Sequence, residues 1–369
     1  MALPVVFLPG IMGSRLFWTD GSGRRWDPDS VACMLEWAGL GAMGGERLAK
    51  LLNADAPARV MRIATGLDEV RTNRGWGGVI QSYYRPLLKK LEESRLTIAV
   101  GYDWRQSLLT TAQYVSERLD KAGISGTFDL VTHSMGGLLA RAVLAMIPDV
   151  AARVHRVVHL CQPCLGVPVM YRRMFTGALL GIDGSGLANS VFFRILGVSG
   201  SKFLTNVCGL PGAIQLLPTD GYRHANSHFG GFEPPLCGVY GDSQSPPGLM
   251  AANATQYVRL QLHRSLELFS AFHARVGGTY FRDAWYIIGD GLETDTQIQF
   301  ADGTVQPVRS SEGDGTVPTS SASPLPGDPA TLQELLVDPQ THRVGWAGVE
   351  HSAAPADKSV INAVVRLLD

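Results

Sequence analysis

Thr132-His133-Ser134-Met135-Gly136-Gly137 follows the apolar run Phe128-Asp129-Leu130-Val131 and leads into a second apolar stretch ending at Ile147. This order reads as strand, tight turn, helix, with a serine at the apex. A serine there stands on strained backbone with its hydroxyl clear of the sheet, and small flanking residues let strand and helix approach. Thr132 takes the place of the usual first glycine and is larger but still compact. The alternative is a helix start that Ser134 merely caps. A serine hydroxyl is a weak nucleophile until an imidazole takes its proton, and the imidazole needs an acid to fix its tautomer. His351, in Gly348-Val349-Glu350-His351-Ser352, stands just before the last helical stretch, where the loop after a final strand would present it. His342 reads instead as a surface or strand histidine. For the acid, Asp314 in Gly313-Asp314-Gly315-Thr316-Val317 competes with Asp290 in Gly289-Asp290-Gly291. Either could be a plain turn aspartate, and spacing alone does not choose.

These residues need a scaffold. Pro4 to Leu8 is a short apolar run closed by Pro9-Gly10, which reads as a buried strand. From Arg95 the pattern becomes regular: strand 95–100, helix 107–122, strand 127–132, helix 136–147, strand 154–160. Strands alternating with helices predict an α/β fold with a mostly parallel central sheet covered on both faces. The intervening residues are too many for an ordinary connection, so 15–94 is expected to be an excursion from the sheet. It holds Trp18, Trp26, Trp37 and Trp76, and the glycines Gly39, Gly41, Gly44 and Gly45 make a mobile lid plausible. A glycine-rich stretch, 168–280, interrupts the alternation as a cap before Ala284 to Ile288 resumes it. Residues 295–309 read as a hairpin around Asp302-Gly303, and 356–368 as a closing helix.

The chain has 369 residues, ample for a large core, with 45% hydrophobic and 18% charged residues and a net charge of -1. That excludes intrinsic disorder and an overall basic surface for nucleic acid. No apolar stretch approaches the roughly 20 residues of a membrane span. The apolar N-terminus has no basic residue ahead of it and no small-x-small cleavage site, so it reads as a strand and not as a signal peptide. Five cysteines, an odd and scattered set, do not form a disulfide framework. A cytoplasmic setting is the simplest expectation, with export lacking a cleavable signal still open.

Five motifs in order resemble one known family. They are Leu8-Pro9-Gly10-Ile11-Met12-Gly13-Ser14, Tyr102-Asp103-Trp104-Arg105, His133-Ser134-Met135-Gly136, Gly313-Asp314-Gly315-Thr316-Val317 and Glu350-His351. Together they resemble the lecithin:cholesterol acyltransferase-like family, which includes lysosomal phospholipase A2 and phospholipid:diacylglycerol acyltransferase. The resemblance implies a single α/β-hydrolase domain over 1–369 with lid and cap insertions. It implies Ser134 as nucleophile, Asp314 rather than Asp290 as acid, and His351 as base. It also implies that the backbone amides of Ile11 and Met135 form the oxyanion hole, as two fixed donors would. Trp104 and Arg105 are expected to brace the pocket. Secreted members close the lid with a disulfide, whereas this excursion has only Cys33.

The expected activity is serine-dependent hydrolysis or acyl transfer on a hydrophobic, lipid ester, with no cofactor and no metal. A membrane surface is one setting for the encounter, and the oligomeric state is undetermined. A soluble non-lipid ester is the competing substrate, and a non-catalytic binding module of the same fold the competing function. Other motifs read blandly. Cys161-Gln162-Pro163-Cys164 lacks the second pair a zinc site needs and reads as buried thiols. His224 and His228 lack the glutamate of a metalloprotease helix. Gly241-Asp242-Ser243 has no clear strand before it, and the sequon Asn253-Ala254-Thr255 has no secretory context.

Overall fold

The computed structural model describes residues 2–18, 25–35, 53–55, 58–60, 74–176, 205–219, 221–222, 256–276, 281, 283–301, 304–322 and 343–369. The lid glycines, Trp37, Cys237, His224, His228, the Gly241-Asp242-Ser243 motif, the sequon, the Asp302-Gly303 turn and His342 lie outside them.

The first apolar run forms β1 (Val5–Leu8), buried throughout. The chain then leaves the sheet through β2 (Leu16–Trp18), β3 (Arg25–Trp26) and β4 (Ala58–Val60), a small antiparallel sheet in the order β3-β2-β4. It returns as α1 (Gln81–Glu92), which buries Tyr84, Leu87, Leu88 and Leu91 against the main sheet. The excursion therefore ends in a core helix, which the sequence reading did not separate from the lid. Trp76 belongs to this return as well, its indole donating to the Thr97 carbonyl at 3.0 Å.

The regular alternation follows as expected: β5 (Thr97–Ala99), α2 (Leu108–Lys121), β6 (Phe128–His133), α3 (Met135–Met146) and β7 (Val154–Leu160). Within 168–280 the described parts include α4 (Val169–Thr176) and α5 (Gln256–Val276). Then come β8 (Ala284–Asp290), the antiparallel pair β9 (Thr294–Ala301) and β10 (Thr304–Ser310), β11 (Arg343–Ala347) and α6 (Lys358–Leu368).

The central sheet has the order β11-β8-β7-β6-β1-β5 with every pairing parallel. Side chains alternate across it, as the period of two requires. Val6, Leu8, Leu130 and Val157 face α2 and α3, whereas Val5, Phe7, Val131 and Val158 face α1 and α6. With both faces covered, the strands read as continuous apolar runs. The functional loops leave the carboxyl ends of β1, β6, β7, β8 and β11, the edge where parallel α/β sheets bind ligands.

Candidate functional site

Ser134 sits between β6 and α3 with φ 53° and ψ -126°, a conformation that costs a non-glycine residue about 1–3 kcal/mol. Neighbouring backbone holds it there: its amide donates to the Leu160 carbonyl at 2.9 Å, and its carbonyl accepts from Gly137 at 2.9 Å. The helix must come very close to β1 for this turn. A Cβ at Gly136 would stand 2.4 Å from the Leu8 carbonyl oxygen, and one at Gly10 would stand 2.9 Å from the Ser134 Cβ. Thr132 is accommodated because its hydroxyl turns to His159 Nδ1 at 2.8 Å.

His351 lies beyond β11, in the loop the sequence assigned to it, and its Nε2 is 2.9 Å from Ser134 Oγ. Its Nδ1 is 2.7 Å from Asp314 Oδ2. Asp314 follows the β9–β10 hairpin and is 1% exposed; its other oxygen accepts the amides of Thr316 at 2.9 Å and Val317 at 2.6 Å. Asp314 thus faces three hydrogen-bonding partners, two amides and one ring nitrogen. Since an ionised carboxylate only accepts, Nδ1 of His351 carries the hydrogen and Nε2 is left to accept from Ser134. Burial alone would lower the His351 pKa, but Asp314 beside it more than offsets this and holds it above the usual histidine value. Burial likewise pushes Asp314 up, and His351 with the two amides brings it below the ordinary carboxylate range. Asp290 takes no part in this arrangement. It is exposed and closes a turn, its Oδ1 accepting from Gly291 at 2.9 Å and its carbonyl from Gly348 at 2.8 Å.

Ile11 lines the same cavity as Ser134, and Met135 opens α3, where the first amides have no partner within the helix. Among the described residues neither amide is used in a hydrogen bond. The Ile11 loop is braced from behind. Trp26 donates to the Met12 carbonyl at 2.8 Å and packs edge-on against Trp104. Arg105, 1% exposed, is held by Asp103 at 2.8 Å and by the Asn53 carbonyl at 2.9 Å. Both motif residues thus sit in the supporting layer, as expected.

A second layer was not foreseen. The Gly10 amide donates to Tyr84 Oη at 3.0 Å, Tyr84 Oη lies 3.1 Å from His133 Nδ1, and His133 Nε2 lies 3.0 Å from the His351 carbonyl. A carbonyl can only accept, so Nε2 of His133 carries its hydrogen and Nδ1 accepts from the tyrosine hydroxyl. Burial, with a smaller effect from His351, pulls the His133 pKa down to about 3, so the ring is neutral. This chain ties the Ile11 loop to the backbone of His351. The sequence placed His133 in a motif without a role, and Tyr84 gave no signal beyond a helical apolar face.

The cavity over Ser134 has a volume of about 190 Å³. Trp26, Pro28 and Tyr83 reach it from the first excursion, and Val167, Met170 and Leu216 from around the second. Among the described residues, Cys161, Asp314 and His351 are close enough to share a metal ion, their ligand atoms lying within 4.8 Å of one another. Asp314 and His351 are already bonded to each other, and burial, then Asp314, pushes the Cys161 thiol well above its ordinary value, so it is no thiolate ligand at neutral pH. Cys33, Cys161, Cys164 and Cys208 are buried thiols, the reading given to the Cys161–Cys164 pair.

Residues 75–220 match the family model of lecithin:cholesterol acyltransferase. No curated protein matches the sequence. Among solved structures, a chain of the Tle4-Tli4 complex is similar at TM-score 0.70 and 20% identity, over 99% of this chain and 98% of that one. The lipase BlEst2 of Bacillus licheniformis matches at TM-score 0.40 and 12% identity, over 100% of this chain and 92% of its own. Naproxen esterase from Bacillus subtilis matches at TM-score 0.32 and 11% identity, over 100% and 84%. With the parallel sheet, the serine turn and the match over residues 75–220 all in place, the chain has an α/β-hydrolase fold and, over those residues, resembles the lecithin:cholesterol acyltransferase family, which supports a serine ester hydrolase or acyltransferase.

Proposed function

We propose that the chain cleaves hydrophobic, lipid esters through an acyl-enzyme, with Ser134 as nucleophile, His351 as base and Asp314 as the acid that orients it. The observation that carries this reading is the continuous hydrogen-bond chain from Ser134 Oγ through His351 to Asp314, at 2.9 and 2.7 Å. As Ser134 Oγ bonds to the ester carbonyl carbon, its proton passes to His351 Nε2 and the carbonyl oxygen becomes an oxyanion held by the amides of Ile11 and Met135. His351 returns the proton to the leaving alkoxide, which departs as an alcohol. Water, or a second alcohol, then attacks the acyl-Ser134 carbonyl, giving its proton to His351, and Ser134 is released as the hydroxyl. All proton transfers are made by this chain's own side chains.

Apolar side chains of Val167, Met170, Leu216 and Trp26 around Ser134 suit an acyl chain. Trp26 comes from 15–94 and Met170 and Leu216 from 168–280, which supports reading the first as lid-bearing and the second as a cap. Among the described residues no helix is long and apolar enough to cross a membrane. The test is a chain-length series of nitrophenyl esters, with and without liposomes, beside lipid profiling. Turnover that rises with acyl length supports the lipid reading. A preference for short, soluble esters contradicts it.

A further inference from the structure

One buried nucleophilic group beside the triad has no task in the proposed reaction. Cys161 follows β7 directly and is 2% exposed. Its backbone joins the two sides of the site. The Leu160 carbonyl accepts the Ser134 amide at 2.9 Å, and one residue later the Cys161 amide donates to the Ile287 carbonyl of β8 at 2.9 Å. At this crossing Cys161 has φ 50°, a left-handed conformation that glycine adopts freely and a residue with a Cβ does not. A side chain kept in such a place calls for a use.

The surroundings of the thiol supply one. Its Sγ, a carboxylate oxygen of Asp314 and a ring nitrogen of His351 lie within 4.8 Å of one another. Its hydrogen-bonding neighbours are Asp314 and the backbone amide of Gly289 on β8. At Gly289 a Cβ would stand 2.4 Å from that of Asp314, so sulfur, amide and carboxylate meet where the Asp314 loop closes on the sheet. An ionised carboxylate only accepts and a backbone N–H only donates, which fixes the direction of both contacts. The thiol hydrogen goes to Asp314, and the sulfur takes the Gly289 hydrogen. Burial, then Asp314, keeps the thiol protonated, as a donor must be.

We propose that Cys161 is a positioning residue of the triad, its thiol donating a fourth hydrogen bond to Asp314 beside those of His351, Thr316 and Val317. The proposal rests on the reading of Ser134, His351 and Asp314 as that triad. A hydrogen bond to the charged carboxylate weakens its hold on the His351 proton. Its loss leaves Asp314 more basic, which raises the pKa of His351 and carries the acid limb of kcat/KM to higher pH. The other charged or titratable groups facing His351 are Glu350, Arg173 and His133. Arg173 stays a cation to about pH 10 and His133 is neutral down to about pH 3. Glu350 is held by the Ser352 hydroxyl at 2.6 Å and the Ala353 amide at 3.2 Å. The limb therefore reports the pair of His351 and Asp314.

The experiment measures kcat/KM against pH for the full chain and three variants on one soluble nitrophenyl ester. Cys161→Gly comes first, because glycine accepts φ 50° and loses only the thiol. Its acid limb should move up by about 0.5–1 pH unit, the worth of one ordinary hydrogen bond, with the thermal transition retained. Cys161→Ala should show the same shift at lower stability, since it keeps the strain and loses the contact. Cys161→Ser still offers a donor and should return the limb toward its wild-type position. A limb unmoved or lowered in folded Cys161→Gly, with turnover that still requires Ser134, would overturn the proposal and leave the triad reading standing. A limb displaced as far in Cys161→Ser as in Cys161→Gly would do the same, because loss of the sulfur and not of the donor would then move it. Turnover independent of Ser134 would overturn both.

Discussion

At the scale of single residues, the site is a matter of which proton sits where. His351 must be neutral at Nε2 to accept from Ser134, and Asp314 holds its pKa above the usual histidine value. Activity should therefore fall as pH drops through a limb lying above about 6.5, the unperturbed value. The kcat/KM profile measures it, and a limb below that value would contradict the assignment of the raised group to His351. Asp314→Asn should remove both the charge and the correct tautomer, lowering kcat by up to about 10⁴-fold. Asp290→Asn changes only an exposed turn, so folded protein should keep near wild-type activity; the two variants compared on one ester decide between them. Spacing left these aspartates equal because both follow a glycine in a turn-rich segment. What separates them is Gly289, where a Cβ would stand 2.4 Å from that of Asp314 and block its approach to the sheet edge. Such a contact between distant segments has no signature in local sequence.

At the scale of elements, α1 does more than cover a face of the sheet. It buries Tyr84 so that one hydroxyl joins the Gly10 amide to His133, and His133 to the backbone of His351. Tyr84→Phe keeps the ring packing against Phe7 and removes only that oxygen. The Ile11 loop should then lose its anchor, and on the proposed reading, in which its amide holds the oxyanion, kcat should fall about tenfold or more with KM little changed. Equal losses in kcat and stability with an unchanged pH profile and a raised KM would point to a packing role alone. The alternating strands and helices from β5 to β7 were legible because their periods are strong and uninterrupted. The core helix inside 15–94 was not, because Pro86 and its polar residues dilute the apolar pattern that tertiary packing of Tyr84, Leu87, Leu88 and Leu91 completes. The serine turn was legible for the opposite reason: its demands on residue size are local.

At the scale of the whole molecule, the site is assembled from the carboxyl ends of strands far apart in sequence, so it exists only when the sheet is complete. The last helix contributes no site residue, yet α6 buries Val360, Ile361, Val364 and Leu368. At about 1.5–3 kcal/mol each, these four represent about 6–12 kcal/mol, the same order as the total stability of an ordinary domain. Its end is also bound to Arg95 and Arg156, at 2.6 Å in each case. Deletion of residues 358–369 should abolish the cooperative thermal transition, and a truncated chain that still melted sharply and turned over ester would refute this. The central claim, that folding brings His351 across 217 residues of sequence to activate Ser134, is tested most directly by covalent labelling. The folded protein is treated with a fluorophosphonate probe and the modified residue is mapped by mass spectrometry, with urea-unfolded protein and Ser134→Ala as references. One label is expected, on Ser134, absent from both references and accompanied by loss of ester turnover. A label on another residue, or full labelling and turnover in Ser134→Ala, would contradict it.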